Sequence, residues 1–250
     1  MYPIDQLGAR LVKRNRVIVV LGMHRSGTSV VARALNSVGV YLGDHLLSPA
    51  MDNPSGYWED TQITAANDRL LREHGFLWEM PGFDCAAVME RDVTMSIRDE
   101  IERDLALRFG ASPLWGFKDP RVCILLPIWH EIFRRLDVDD NYVLVVRNPR
   151  SVAESLRARQ GMDQWLAYVL WLEYMLSAVR GVMGKPRAFV AYDRMMDDPA
   201  KELDRLAEAL ALPPPAVGQS ACNFGDSFLD GRLRHTRYTS ALHTCNILLF

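Results

Sequence analysis

The chain has 250 residues, of which 49% are hydrophobic, and no low-complexity, Gly/Ser-rich or charged block divides it. A single folded domain with a substantial core is therefore expected. The formal net charge of −2 argues against a general nucleic-acid-binding protein, because such proteins carry a basic excess that neutralises phosphates.

The first predicted elements are a strand, a turn and a helix. Residues 17–21 are an unbroken β-branched and aliphatic run, which is typical of a parallel strand covered on both faces. Apolar residues then recur at helical spacing over Thr28–Ser37. The loop between them would direct backbone N–H groups and the positive end of a helix dipole at an anion. A plain strand-to-helix turn is the alternative.

This loop differs from the one that binds ATP. It meets the pattern G-x-x-x-x-G-K-[ST] at Gly22, Gly27 and Ser29, but Thr28 stands where the lysine belongs, and a cation, Arg25, lies inside the loop. A P-loop kinase that uses ATP and magnesium is therefore a disfavoured alternative.

A long connection, residues 40–60, contains turn residues and no predicted element. Such connections in compact domains tend to be lids or binding loops. Glu59 lies at its end, directly before a helix predicted at residues 61–74. It is either a general base or an acidic residue favoured by the helix dipole.

A helix at residues 94–109 and a strand at Leu114–Lys118 come next, and a helix at residues 125–136 follows. Asp119 directly follows Lys118 and precedes a proline. Its carboxylate is a second candidate base, and the alternative is a turn in which it accepts hydrogen bonds from backbone N–H groups.

The second strong signal is a buried-strand run at residues 142–146 that leads into a helix at residues 149–159. Asn148 suits the helix cap and Pro149 its first position. Arg147 should then lie at the strand's carboxyl end and Ser155 about two turns into the helix, so that both can face one crevice.

The remaining predicted elements are a helix at residues 163–182, a strand at Arg187–Ala191 and a helix at residues 199–210. Residues 165–183 are apolar enough to suggest a membrane span, but Glu173 and Arg180 interrupt them. A core helix is favoured, with a helical stripe of Trp165, Leu172, Leu176 and Val179 facing the core. Residues 213–250 are expected to wrap or cover the domain.

Strands alternate with helices throughout, which predicts an α/β fold: a P-loop-like, doubly wound parallel sheet flanked by helices, in a single domain. Ligands of such sheets bind beyond the carboxyl ends of the strands. Arg25, Lys118 and Arg147 are all expected there.

The cysteines show neither a Cys-x-x-Cys pair nor zinc-type spacing to histidine, so we expect reduced thiols and no metal. Residues 1–16 lack an apolar stretch long enough for a signal peptide. A cytoplasmic protein without an integral membrane span is predicted. The four cysteines are Cys85, Cys123, Cys222 and Cys245.

These motifs together resemble the sulfotransferase superfamily. In that family a loop with serine and threonine after the first strand holds the 5′-phosphosulfate of 3′-phosphoadenosine 5′-phosphosulfate, and an arginine and a serine eight positions apart hold the 3′-phosphate. The second pair matches Arg147 and Ser155. The first motif matches Arg25, Ser26, Gly27, Thr28 and Ser29.

The resemblance extends further along the chain. The Lys118-Asp119-Pro120 strand end is similar to that of tyrosylprotein sulfotransferases, and the segment from Tyr192 to Pro199 is similar to a late Tyr-Glu-Asp-Leu-type segment. Residues 56–60 resemble bacterial sulfotransferases thought to act on glycans.

The resemblance implies roles for individual residues. Glu59 is the first candidate for the base, since tyrosylprotein and glucosaminyl sulfotransferases use a glutamate, and Asp119 is the second. Lys118 would stabilise charge on the leaving oxygen. His24 would contact the sulfuryl group, with a packing role as its alternative. Tyr192 and, in a basic tail segment, Arg234 are added to the donor-binding residues.

The implied reaction is transfer of a sulfuryl group to a hydroxyl of a carbohydrate, glycoconjugate or small-molecule acceptor, without a metal. A nucleotide-binding regulatory module without turnover is a further alternative. The sequence does not indicate the oligomeric state. The aromatic residues near turns would form an acceptor platform or serve as core plugs; they are Tyr57, Trp58, Trp78, Phe83 and Trp115.

Overall fold

The computed structural model describes residues 14–50 and 56–212. They form one α/β domain with four strands and eight α-helices within those ranges, in the order β1 Arg16–Leu21, α1 Thr28–Ser37, α2 Thr61–Arg72, α3 Asp92–Phe109, β2 Leu114–Lys118, α4 Val122–Arg135, β3 Asp139–Val146, α5 Pro149–Gln160, α6 Gln164–Gly181, β4 Arg187–Ala191, α7 Tyr192–Asp197 and α8 Pro199–Ala209. A short 3-10 helix spans Ala86–Val88.

The four strands form one parallel sheet in the order β2-β1-β3-β4. Val19 of the central strand β1 pairs with Phe117 of β2 on one side and with Tyr142 of β3 on the other. The predicted parallel α/β sheet is confirmed.

Helices cover both faces of the sheet. Val17, Val19 and Leu21 point into the core formed with helices α2 to α6, whereas Ile18 and Val20 point into the core formed with α1, α7 and α8. All five side chains are fully buried. Burial on both faces explains why β1 is a continuous apolar run without alternation.

Some element boundaries differ from the sequence-based expectation. Helix α4 begins at Val122, three residues earlier than predicted, because the Asp119 carboxylate accepts a hydrogen bond from the Arg121 N–H just before it. Strand β3 begins at Asp139, three residues earlier than predicted, because the polar residues 139–141 pair with the start of β1. The short helix α7 was not predicted.

The predicted burial of α6 is wrong in one respect. The stripe of Trp165, Leu172 and Leu176 was expected to face the core, yet these three side chains are exposed, and the opposite side of the helix is buried. Within residues 14–50 and 56–212 no helix is long and apolar enough to cross a membrane. The expectation for residues 213–250 lies outside the described residues.

Candidate functional site

The site lies at the carboxyl ends of β1 and β3, where the chain reverses its direction of strand addition. From β1 the chain adds β2 on one side, and then crosses to add β3 and β4 on the other. Such a switch point leaves a crevice between the loops after the two central strands. In this protein the crevice lies between the β1–α1 loop and the turn from β3 into the start of α5.

The β1–α1 loop has an unusual backbone that brings it close to other elements. Arg25 has a φ of 66° and Gly27 a φ of 89°. A Cβ on Gly27 would lie 2.1 Å from Cδ2 of Tyr192, so that only glycine allows the ring of Tyr192 to pack on the loop. The loop is also fixed at its start, where the Gly22 N–H donates to Sγ of Cys123 at 3.2 Å.

Polar groups of this loop are available to an anion. Gly27 caps α1 without a side-chain hydrogen bond to its first turn, and Oγ of Ser26 is fully buried without a hydrogen-bond partner in the described part of the chain. A buried hydroxyl without a hydrogen-bond partner is costly, which makes this group a candidate for contact with an anion. The positive end of the helix dipole points to the same place.

The loop contacts the second motif directly. Nε of Arg25 donates to Oγ of Ser155 at 2.9 Å, and Nη1 of Arg147 donates to the backbone oxygen of Arg25 at 2.8 Å. The Arg147 guanidinium lies 4.3 Å from the ring centroid of Tyr192. Its backbone oxygen accepts from Nε1 of Trp171. Residues of both sequence motifs and the late tyrosine segment therefore form one cluster.

Lys118, at the end of β2, forms a buried ion pair with Glu59 across the connection before α2. The exposed fractions of the two side chains are 3% and 9%. The backbone of Glu59 is held because its carbonyl accepts from the Leu47 N–H at 2.8 Å. The acidic residue at the start of α2 is Asp60, whose carboxylate accepts hydrogen bonds from the N–H groups of Gln62 and Ile63, whereas the carboxylate of Glu59 pairs with Lys118.

Asp119 is enclosed in a hydrogen-bond network. Its Oδ1 accepts from the Arg121 backbone N–H at 3.0 Å and from Nη1 of the same residue at 2.9 Å, and its Oδ2 accepts from Nδ2 of Asn67 at 2.8 Å. Asn67 in turn accepts from Nε1 of Trp129. Nε of Arg121 donates to Asp68 at 2.6 Å, so that two carboxylates fix its guanidinium.

His24 is a buried residue of the loop whose ring lies 4.0 Å from the ring of Trp78. Its Nε2 has no hydrogen-bond partner among the described residues. Burial, followed by the positive charges of Arg121 and Lys118, holds the pKa of His24 well below its ordinary value of 6.5. The imidazole is therefore neutral at pH 7 and able to accept one hydrogen bond.

A cleft of about 490 Å³ opens beside these groups. Ser29 connects its wall to the loop, since its hydroxyl donates to the backbone oxygen of Tyr57 at 2.9 Å. The lining residues are His24, Leu47, Tyr57, Glu59, Thr64, Trp78, Glu79, Arg121, Arg159 and Gln160. Glu59 and His24 thus lie at the junction of the loop cluster and the cleft.

Sequence reasoning identified part of this site. Of the aromatic residues considered, Tyr57 and Trp78 line the cleft, whereas Trp115 and Phe83 are buried in the core. It missed Asn67 and Arg121. Arg121 directly follows the Lys-Asp-Pro segment, which is a usable signal; Asn67 has none, because it is one polar residue inside a helix. Arg234 lies outside the described residues.

Comparisons with known proteins agree with this architecture. No family model and no curated protein sequence matches the chain. A sulfotransferase domain from the curacin biosynthetic pathway superposes with a TM-score of 0.50 at 20% identity, over 80% of this chain and 75% of that chain.

Two mycobacterial structures are similar to the same degree. Sulfotransferase STF1 from Mycobacterium tuberculosis H37Rv has a TM-score of 0.50 and 16% identity, over 86% of this chain and 71% of its own. Sulfotransferase STF9 from Mycobacterium avium has a TM-score of 0.50 and 16% identity, over 84% and 67%. The fold is therefore that of sulfotransferases, as the two motifs predicted.

Proposed function

We propose that this protein transfers a sulfuryl group from 3′-phosphoadenosine 5′-phosphosulfate to a hydroxyl of a carbohydrate or glycoconjugate. One observation carries the proposal: Arg25 of the first loop donates a hydrogen bond to Ser155, and Arg147 donates a hydrogen bond to the backbone oxygen of Arg25. The two elements that we assign to phosphates are thus far apart in sequence and adjacent in space, which supports a donor with phosphates at the 3′ and 5′ positions of one ribose.

The residues present fit such a donor. The buried, unpartnered hydroxyl of Ser26 and the uncapped start of α1 suit the 5′ end of the molecule. Arg147 and Ser155 are assigned to the 3′-phosphate, and Tyr192 packs between that arginine and Gly27. When bound, the donor supplies an activated sulfuryl group and a phosphate leaving group.

The buried pair provides the two groups that the reaction needs. Glu59 lines the cleft, and we assign its carboxylate to remove the proton of the acceptor hydroxyl, a role that contributes roughly two to four orders of magnitude in rate. Lys118 is assigned to stabilise negative charge on the leaving oxygen. Their contact ensures that the proton acceptor and the cation lie side by side.

The other two candidates receive different roles. Both oxygens of Asp119 accept hydrogen bonds from Arg121 and Asn67, which leaves it poorly placed to take a proton. We assign it to hold Arg121 at the cleft wall. His24 is neutral and has an unpartnered nitrogen, so we assign it to accept a hydrogen bond from the acceptor or to contact the sulfuryl group.

The composition of the cleft supports a carbohydrate acceptor. Tyr57 and Trp78 offer aromatic faces, and Thr64, Glu79 and Gln160 offer groups that can bond hydroxyls. Sugars present both an apolar ring face and several hydroxyls, and this cleft has partners for each. The cytoplasmic location stays a prediction.

Calorimetric titration with 3′,5′-diphosphoadenosine, beside ATP with magnesium, tests the donor. We expect saturable binding of diphosphoadenosine and much weaker binding of ATP. Preferential binding of ATP with magnesium would contradict the proposal and favour a kinase. Release of diphosphoadenosine from the donor in the presence of sugars or of simple phenols then tests the acceptor class, and phenol-only turnover would refute the carbohydrate assignment.

A further inference from the structure

Helix α6 is apolar on two opposite sides, and only one of them is used by the described fold. The inner side packs into the core and consists of Ala167, Leu170, Tyr174, Met175 and Ala178. A helix that is hydrophobic all round is normally buried all round. The outer side of α6 is not.

The outer side forms a continuous apolar stripe, which we call the α6 seam. Its members are Trp165, Val169, Leu172, Leu176 and Val179 on the helix, and Met183 in the turn two residues after the helix ends at Gly181. Val179 is half-buried against the core. Of the others, 76%, 51%, 52%, 42% and 69% of the surface is exposed at Trp165, Val169, Leu172, Leu176 and Met183 respectively. These account for most of the large exposed hydrophobic side chains in the described part of the chain.

The spacing of the seam is that of a helix-pairing surface. Successive members are separated by 4, 3, 4, 3 and 4 residues, which is the alternation that places side chains at a and d of a heptad repeat. At 3.6 residues per turn, the five members within α6 fall within an arc of about 80° on the helix surface, and Met183 follows in the turn just after the helix. A narrow stripe of this kind has the width that one partner helix would cover.

The spacing is also the same when read from either end. If two copies of the helix lie antiparallel, Trp165 of one copy faces Met183 of the other, Val169 faces Val179, and Leu172 faces Leu176. Two of the three contacts then join identical side chains and the third joins two large ones, so that the surface is complementary to itself. This is the requirement for a two-fold symmetric dimer, in which both copies use the same patch.

We propose that the α6 seam is the interface of a homodimer, in which two α6 helices pack antiparallel about a two-fold axis that crosses the seam midway between Leu172 and Leu176. The proposal does not depend on the proposed sulfuryl transfer.

The exposed area is sufficient for this partner. Aromatic side chains bury about 150–250 Å² each. With about 250 Å² for Trp165 and about 150 Å² for each of the four smaller members, the exposed fractions correspond to on the order of 500 Å² of apolar surface per copy. Two copies would bury about 1,000 Å², the lower limit for a specific interface, before the polar rim is added. A contiguous apolar patch of this size is at the upper end of the range for monomeric proteins, and such patches often mark interaction sites.

The charges beside the seam favour a protein partner over a lipid surface. Helices that bind membranes carry many lysines and arginines on their polar side. Within α6 the only cation is Arg180, and the Gly82 N–H donates a bifurcated hydrogen bond to both carboxylate oxygens of Glu173, each at 3.0 Å. An anionic bilayer would therefore find little to attract it.

The mass of the full-length protein in solution, measured by light scattering after gel filtration at about 50 µM, tests the proposal. We expect twice the chain mass of 28.4 kDa for the wild type and the single-chain mass for Leu172→Glu and for Leu176→Glu, with dimer affinity reduced at least a hundredfold. Leu107→Glu is the matched control, because Leu107 is 86% exposed on α3, outside the seam. This variant should stay dimeric.

The antiparallel arrangement has its own test. The double variant Leu172→Cys/Leu176→Cys should form a cross-linked dimer on mild oxidation, whereas Leu172→Cys alone should not exceed the wild-type background. Efficient cross-linking of the single variant would overturn the antiparallel arrangement, because it requires equivalent residues to face each other.

Other results would overturn the dimer. One is a monomeric wild type at this concentration. A monomer that binds phosphatidylcholine/phosphatidylglycerol vesicles, and loses that binding in Leu172→Glu, would assign the seam to membranes. A monomer whose melting temperature falls by several degrees in Leu172→Glu but not in Leu107→Glu would show that another part of the same chain covers the seam. Far-UV circular dichroism establishes that each variant is folded.

Discussion

The Lys118–Glu59 pair allows one prediction to be developed in detail, because stability and catalysis both depend on it. Both side chains are more than nine-tenths buried. Removing one partner of a buried ion pair leaves an uncompensated charge and costs about 3–5 kcal/mol, whereas replacing both partners with neutral groups of similar size is often nearly neutral. The two single variants should therefore be less stable than the double variant.

The variants are Glu59→Gln, Lys118→Met and their combination. For a domain of this size each 1 kcal/mol shifts the melting temperature by about 2–4 °C, so each single variant should melt roughly 6–20 °C below the wild type. The double variant should recover at least half of that loss. Urea denaturation followed by circular dichroism gives the free energies for the cycle.

Turnover distinguishes the proposed base from a purely structural carboxylate. Glu59→Gln should bind diphosphoadenosine within threefold of the wild type, yet its chemical step should fall about a hundredfold or more, because an amide cannot accept the proton. Lys118→Met should also lose about two orders of magnitude. Glu208→Gln is the matched control: it removes an exposed carboxylate from α8, outside the cleft, and should retain both stability and turnover.

Two outcomes would refute this reasoning. If each single variant lost less than about 1 kcal/mol and the losses were additive, the two groups would not form a buried pair in solution. If Glu59→Gln kept near-normal turnover, Glu59 would not be the base. Asp119→Asn and His24→Gln would then be the variants to compare.

Three further predictions concern the donor cluster. Arg147→Ala should weaken diphosphoadenosine binding about ten- to hundredfold in calorimetry, but should weaken binding of adenosine 5′-phosphosulfate much less. The control Arg150→Ala, at an exposed neighbouring residue, should change the affinity for neither ligand. Equal losses for both ligands in Arg147→Ala would contradict the 3′-phosphate assignment. Gly27→Ala should reduce diphosphoadenosine affinity at least tenfold and lower the melting temperature, because its Cβ would lie 2.1 Å from the ring of Tyr192. Adding Tyr192→Ala should restore part of the lost melting temperature. Unchanged binding in Gly27→Ala would contradict the loop geometry. Because burial lowers the pKa of His24 below 6.5 in the folded state, the unfolded chain gains its proton first as the pH falls, so stability should be complete above pH 6.5 and decline below it. His24→Gln should lose less stability than the wild type between pH 7 and pH 5, and an identical loss in both proteins would refute this.

The sequence by itself determined the local elements and the ends of strands where ligands bind. The apolar run at residues 17–21 predicts a buried strand, because both faces of β1 are covered, and the glycine-containing turn follows it directly. Asn148 and Pro149 fixed the start of α5, and the eight-residue interval then placed Arg147 and Ser155 within reach of one crevice. These features depend on backbone preferences and periodicity, which act over a few residues.

Only the tertiary structure decided which of these groups meet. Lys118 reaches Glu59 across 59 positions and Arg25 reaches Ser155 across 130, contacts that depend on the strand order β2-β1-β3-β4 and on the path of the connection before α2. It also decided which side of α6 is buried, because both sides are apolar and periodicity cannot distinguish them. The physical reason is the same in each case: local patterns specify elements, whereas a contact between distant residues exists only when the packed sheet and helices bring their side chains within a few ångströms.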